Sequence, residues 1–288
     1  MNAARTVGAG TGAVAPGSPS SDAPALRARG LHVRHQKADY DAVRDLDLTV
    51  RTGEILALVG PNGSGKSTAL AALGRGIAAR QGSVLLGEGD VWERSARVFA
   101  RSVARLPQSA EAPEGLAVEE LVASGRHAHL PWLGALGPED RAAMREALRA
   151  VDVLDLRMRK VETLSGGERR RAWLAMVLCQ QAPILLLDEP TAALDLRHQH
   201  ELLGLLKDLN RTRGVTIVVV LHDVEHAAML ADRIAVLHRG RLYDVGPPAE
   251  CITASMLQDV FGVEARITTE DGRLVVRVLG TADPGRHL

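Results

Sequence analysis

Aromatic side chains are scarce: Phe, Tyr and Trp make up 2% of the 288 residues. That argues against a nucleic-acid surface built from bases stacked on successive rings. Net charge is lacking as well. Thirty-five basic residues balance 35 acidic ones, for a formal charge of +0. No global field therefore draws the chain toward nucleic acid or an anionic membrane. Cysteine is limited to Cys179 and Cys251, in no CxxC pattern. This speaks against a disulfide framework and for reduced thiols in a cytosolic protein. No apolar run approaches the roughly 20 residues that span a bilayer. The longest, Val215 to Leu221, has the length of a strand. A role at a membrane thus requires a separate spanning chain. The first residues also lack the continuous apolar stretch of a signal peptide. No internal repeat is visible, so a single unit is expected rather than a tandem pair.

What is present fits a soluble globular protein, with 46% hydrophobic and 24% charged residues. The length suffices for a large core. Residues 1–25 are rich in Gly, Ala, Ser and Pro and are expected to be a disordered tail. Residues 26–288 are expected to form one α/β domain. Strands are predicted over Leu46 to Val50, Glu54 to Val59, Ser83 to Leu86 and Val103 to Leu106. Further strands are predicted over Ile184 to Leu187 and Val215 to Leu221. Helices are predicted over Lys66 to Ala79, Val118 to Ser124, Glu139 to Ala150, Glu168 to Gln180 and Asp195 to Leu209. The apolar strands ILLL and VTIVVVL suit parallel strands covered on both faces. A helical subdomain is expected at about 110–163, inserted into this core. The segment at about 233–279 reads as β-rich, with hairpin turns at Arg239-Gly240 and Asp271-Gly272.

Gly60-Pro61-Asn62-Gly63-Ser64-Gly65-Lys66-Ser67 matches G-x-x-x-x-G-K-[ST], after a strand and before a helix. Glycines let the backbone wrap phosphates, and its N–H groups with the helix N-terminus supply positive potential. Lys66 reaches the outer phosphates of ATP, and Ser67 offers a hydroxyl to Mg²⁺. Thr68 adds a phosphate contact. Asp188 and Glu189 end an apolar strand. The first is placed to hold Mg²⁺, and the second to polarise the attacking water. His222 ends another strand and is a candidate to touch the γ-phosphate and orient Glu189. Gln108, at the border of the helical insertion, is a candidate contact to Mg²⁺ or water. Ser165, Gly166 and Gly167 open a helix and make a second anion site. One ATP needs one cradle, so the second makes sense if it serves an ATP held by another copy.

These motifs, GPNGSGKST at 60–68, LPQ at 106–108, LSGGE at 164–168 and ILLLDEP at 184–190, come with Ala193-Leu194-Asp195 and His222 in a fixed order. That order resembles the nucleotide-binding domain of ABC transporters, over about Leu26 to Leu279. The resemblance implies a P-loop ATPase core with a mostly parallel sheet, an N-terminal antiparallel β region and an inserted α-helical subdomain. It also implies that Asp195 faces a partner subunit and that two copies sandwich two ATP. The stretches SGRHAHLPWLG, RRRAWLAMVL, LDLRHQHELL and VVVLHDVEHAA are similar to ATPases of iron–siderophore importers, with vitamin B12 and haem importer ATPases as near relations. The implied partners are a transmembrane permease and, through it, an extracytoplasmic substrate-binding protein, with no nucleic acid. The implied place is the cytoplasmic face of the cell membrane. The family places an adenine-stacking ring upstream of the P-loop; here His35 holds that place, with Tyr40 nearby.

Other readings stay open. A soluble ABC ATPase is an alternative, although no long coiled coil or tandem domain is present. A regulator without turnover is opposed by Lys66, Asp188, Glu189 and His222. His198 and His200 sit two apart on a helix and diverge, against a shared metal. His127 and His129 read as solvated loop residues, and Arg169, Arg170 and Arg171 as a solvated helix face.

Overall fold

The computed structural model describes residues 24–35, 38–108, 112–131 and 134–282. The chain opens with β1 (Pro24–Val33), β2 (Val43–Arg51), β3 (Ile55–Val59), α1 (Lys66–Leu73), β4 (Gln81–Leu86) and β5 (Gly89–Asp90). Next come α2 (Ala96–Ser102), β6 (Val103–Leu106), α3 (Val118–Ser124), α4 (Pro138–Ala150) and α5 (Gly166–Cys179). Then follow β7 (Ile184–Asp188), α6 (Leu196–Arg213), β8 (Thr216–Val220), α7 (Val224–Leu230), β9 (Arg233–His238) and β10 (Arg241–Gly246). The described chain closes with α8 (Pro248–Cys251), α9 (Ala254–Phe261), β11 (Val263–Glu270) and β12 (Arg273–Thr281).

The fold is α/β, as expected. A six-stranded sheet has the order β10-β9-β3-β8-β7-β6. Its neighbours are parallel except for the β9–β10 hairpin. A second, antiparallel sheet has the order β2-β1-β4-β5 and lies at the N-terminal side of the sequence. Strands β11 and β12 pair separately. Because β3, β6, β7 and β8 run parallel, the loops that follow them emerge from one carboxyl edge. Ligands of open α/β sheets bind there.

Two cores hold the sheet. On β3, Ile55, Ala57 and Val59 pack into one, while Leu56 and Leu58 pack into the other. The period-2 alternation of a strand sends successive side chains to opposite faces, so a fully apolar strand needs cover on both. One face meets the antiparallel sheet and α1 through residues such as Leu26, Leu46 and Leu70. The other meets the helical segment and α6, α7 and α9 through Leu121, Leu148, Leu174 and Leu203. In that helical segment the buried Arg126 guanidinium donates to Asp140 Oδ1 at 2.8 Å and to the Cys179 carbonyl at 2.9 Å. It thereby ties the end of α3 to α4 and α5.

Several boundaries differ from the sequence expectation. The expected tail over 1–23 lies outside the described residues, whereas Pro24 and Ala25 already belong to β1. Helix α1 stops at Leu73 rather than Ala79, with Gly74 as its cap. Helix α2, capped by the Ser95 hydroxyl accepting from Val98 N, was not foreseen. The segment read as β-rich contains α8 and α9 between its two hairpins. Thr253 caps α9 by accepting from Met256 N. Both turn pairs in that segment have positive φ, 49° and 79° at Arg239-Gly240 and 48° and 74° at Asp271-Gly272. Positive φ at both central positions matches the right-handed twist of the flanking strands.

Candidate active site

The loop between β3 and α1 is shaped by two glycines, Gly60 and Gly65, where a side chain would collide with backbone. Gly60 has φ +146°, and a Cβ there would come within 2.1 Å of the Leu237 carbonyl oxygen. Gly65 has φ +100°, and a Cβ there would lie 2.5 Å from the Ala42 carbonyl oxygen. The loop is also fastened from outside, since Gly240 N donates to the Ser64 carbonyl at 3.0 Å. The N-terminus of α1 opens directly from this loop, so its free N–H groups face the cleft.

Lys66 is buried, and its Nζ donates to the carbonyls of Gly60 at 2.8 Å and Pro61 at 2.9 Å. Burial lowers its ammonium below the ordinary lysine range, while the charges of Glu189 and Asp188 oppose that shift. Ser67 Oγ donates to Asp188 Oδ1 at 2.9 Å. Burial pushes the Asp188 carboxyl above its usual range. The Ser67 hydrogen bond opposes this, and the Glu189 charge adds to it.

Glu189 carries an unusual backbone for a non-glycine residue, with φ 49°. Such left-handed geometry costs on the order of 1–3 kcal/mol and persists where its surroundings enforce it. Here Glu189 N donates to the Val220 carbonyl at 3.2 Å. The side chain is fixed from two sides. His222 Nε2 lies 2.6 Å from Glu189 Oε1, and Gln108 Nε2 donates to the same oxygen at 3.0 Å. Thus the ends of β6, β7 and β8 converge on one carboxylate.

Asn62, Gly63, Gly65, Lys66, Ser67, Thr68, Gln108, Glu189 and His222 line a single cleft of about 420 Å³. The Ser67 hydroxyl that lines it, bonded to the buried Asp188 carboxylate, makes a hard-oxygen donor set of the kind Mg²⁺ takes. Among the described residues no group of three or more His, Cys, Asp or Glu could hold a metal by itself. A cation here would therefore need phosphate oxygens or waters to complete its shell, as Mg²⁺ commonly does.

Other expected residues lie apart from this cleft. Ser165 caps α5: its hydroxyl accepts from Glu168 N at 3.3 Å, and its own N donates to Glu168 Oε2 at 2.8 Å. Ser165 and Gly166 are exposed. Asp195 caps α6 by accepting from His198 N and from His198 Nδ1, and its side chain is 66% exposed. Gly167 and the turn before Asp195 are neighbours, because a Cβ at Gly167 would lie 3.1 Å from the Ala193 carbonyl oxygen. His35 sits beside the P-loop helix, its Nε2 3.0 Å from Thr68 Oγ1. Tyr40 is exposed.

Two residues were misread. His129 is half-buried, its Nε2 2.8 Å from the Gln180 carbonyl oxygen, rather than solvated. Arg170 is not part of a solvated face. Its guanidinium donates to the carbonyls of Pro107, Gln108, Asp188 and Glu189. The signal was available in the sequence: Arg170, Leu174 and Val177 share a helical face, and the latter two are core residues.

Comparison with known proteins agrees with this geometry. The chain is 42% identical over 232 residues to the iron(3+)-hydroxamate import ATP-binding protein FhuC of Bacillus subtilis (strain 168). That match covers 81% of this chain and 86% of FhuC. It is 48% identical over 217 residues to the hemin import ATP-binding protein HmuV of Streptomyces coelicolor, covering 75% of this chain and 76% of HmuV. Among solved structures, the dimeric post-hydrolysis state of the ATP-binding cassette MJ0796, bound to ADP and Pi, superposes with a TM-score of 0.70 at 26% identity. It covers 77% of this chain and 98% of that cassette. Residues 43–192 match the family described as ABC transporter. The chain belongs to the ABC transporter family, as an ATP-binding, ATP-hydrolysing member.

Proposed function

We propose that this ATPase energises the import of ferric siderophores through a separate membrane-spanning permease, at the cytoplasmic face of the cell membrane. No described helix is long and apolar enough to cross a membrane, which fits a division of labour between chains. One observation carries the mechanism. The residues for phosphate and water converge in one cleft, while Ser165, Gly166 and Asp195 stand exposed and Gly167 half-buried outside it. A second copy that turns those residues toward this cleft completes the site. Two copies then enclose two ATP, and their closure and reopening drive the permease.

Within the cleft each residue has a physical task. The N–H groups of residues 60–68 and the N-terminus of α1 hold the phosphates. Lys66 exchanges its two loop carbonyls for phosphate oxygens and neutralises the charge that builds on them. Ser67 and Asp188 would hold Mg²⁺, which supplies charge neutralisation at the β- and γ-phosphate oxygens. Glu189 accepts a hydrogen bond from water and polarises it for attack. His222 and Gln108 keep that carboxylate pointed at one place. Gln108 also stands at the entry to the helical subdomain, where it reports occupancy of the cleft to the surface that meets the permease. His35 is the candidate for packing against adenine, a role that needs its ring to leave Thr68 or to stack while bonded to it.

A second reading is haem import, favoured by the 48% identity to a hemin import ATPase. Both readings share the ATPase cycle and differ in the permease. The test is a pull-down of tagged Glu189→Gln protein from detergent-solubilised membranes with ATP. Recovery of a polytopic permease whose deletion abolishes ferric-siderophore uptake supports the proposal. A permease needed for haem uptake alone supports the second reading. Recovery of soluble partners alone refutes both.

A further inference from the structure

The Arg170 side chain occupies a position that no phosphate or metal role explains. Strands β6 and β7 end their ladder at Leu106 and Leu187. Beyond that pair the two chains diverge, one toward Gln108 and the other toward Glu189. Their backbone carbonyls must find donors elsewhere. Arg170 Nη1 donates to the Pro107 carbonyl at 2.8 Å and to the Gln108 carbonyl at 3.1 Å. Arg170 Nη2 donates to the Asp188 carbonyl and, at 3.0 Å, to the Glu189 carbonyl. One planar group thus spans both loops with two N–H pairs, which the fixed fork of a guanidinium permits and an ammonium does not. It also grips the carbonyl of Glu189, whose left-handed φ of 49° needs enforcement.

The origin of that side chain matters as much as its target. Arg170 lies five positions after Ser165, the N-cap of α5. At 1.5 Å per residue that is roughly 7 Å along the helix. The helix end that would meet the partner's ATP is therefore joined, through one rigid turn and one side chain, to the loops that position this chain's own water. Burial lowers the Arg170 guanidinium below the ordinary arginine range, opposed by the Asp188 and Glu189 charges. The four carbonyls that accept from it are what hold the cation in place.

We propose that Arg170 is a positioning residue that couples the two ATP sites of the dimer. Contact of Ser165, Gly166 and Gly167 with the partner's nucleotide moves α5, and Arg170 transmits that movement to Gln108 and Glu189. This rests on the sandwich-dimer reading above.

The test uses Arg170→Met, Arg170→Gln and Arg170→Lys in the complete transporter reconstituted in lipid nanodiscs. Equilibrium ATP binding, kcat, KM and the Hill coefficient for ATP are measured, with melting temperature as a folding control. Wild type is expected to be cooperative. Arg170→Met is expected to lose about tenfold to a hundredfold in kcat, the scale of a small misplacement of reacting groups. Its ATP affinity is expected to stay within about threefold, since Arg170 does not line the phosphate cleft, and its Hill coefficient to fall to 1. Arg170→Lys is expected to recover little, because it cannot span four carbonyls. If Arg170→Met fails to fold, Arg170→Gln provides the same readout. Unchanged kcat, an unchanged Hill coefficient or a non-cooperative wild type would each overturn the proposal. Failure of the dimer reading itself would show separately, as a Glu189→Gln protein that never dimerises with ATP.

Discussion

Gly60→Ala and Gly63→Ala are a matched pair whose difference isolates packing from backbone strain. Both residues lie in the phosphate loop with positive φ, +146° and +76°. At Gly63 an added methyl meets nothing within 4 Å, so the cost is the left-handed backbone alone, about 1–2 kcal/mol. At Gly60 the methyl would fall 2.1 Å from the Leu237 carbonyl oxygen and 2.8 Å from Ser64 Oγ. Leu237 is fully buried in β9, paired with Leu242 of β10, and cannot retreat without opening the hairpin. Overpacking of this kind adds typically 1–3 kcal/mol to a strain of similar size, for a total of roughly 2–6 kcal/mol. The expected gap between the variants is that overpacking alone, about 1–3 kcal/mol, or about 2–12 °C in melting temperature for a domain of this size. The assay is thermal unfolding of the protein without nucleotide, followed by circular dichroism or calorimetry. Equal melting temperatures for the two variants would show that the β9 carbonyl yields freely, and would refute the account of a loop pinned by its neighbours.

Three further outcomes are expected. Asp188 has a folded-state pKa raised by burial, so its contribution opposes folding once pH rises above the unfolded value near 4. Apoprotein stability from this group is therefore lost as pH climbs from there through the raised value. Accordingly Asp188→Asn should melt higher than wild type near neutral pH without ligand, yet gain less on adding Mg-ATP. A lower melting point would contradict the sign. Lys66→Ala removes the only buried amine of the phosphate loop and should weaken ATP binding by at least about tenfold, measured by equilibrium titration. Glu189→Gln keeps an acceptor oxygen for Gln108 and His222. It should bind ATP and elute as a dimer, while phosphate release falls by a factor on the order of 10²–10⁴.

Much of the site was legible because its chemistry is carried by short runs. The P-loop, the Asp188-Glu189 pair and the strand at Val103 to Leu106 are each read from contiguous residues. Gln108 and His222 are single letters, and what joins them to Glu189 is the parallel order of three strands. Sequence spacing does not display that order. Helix α2 has one buried residue, Phe99, too few for a periodic signal. Helices α8 and α9 are short and lie between two strong hairpin turns, which drew the segment toward a strand reading. Arg170 was hidden for a different reason. In a run of three arginines the default is solvent, and only the helical phase separates the inward residue from its neighbours.

The alternation along β3 has a consequence for how the molecule comes apart. Five consecutive buried residues divide between two cores, and the strand has no face to spare. The antiparallel sheet and the helical half therefore own no separate floor; each is closed by the other's side of the same strand. Loosening one half exposes the back of the wall on which the other rests. The phosphate loop hangs from the top of that wall. Its geometry thus reports the cohesion of both cores, and a defect far from the cleft on either side reaches the nucleotide through the cooperativity that the shared strand imposes.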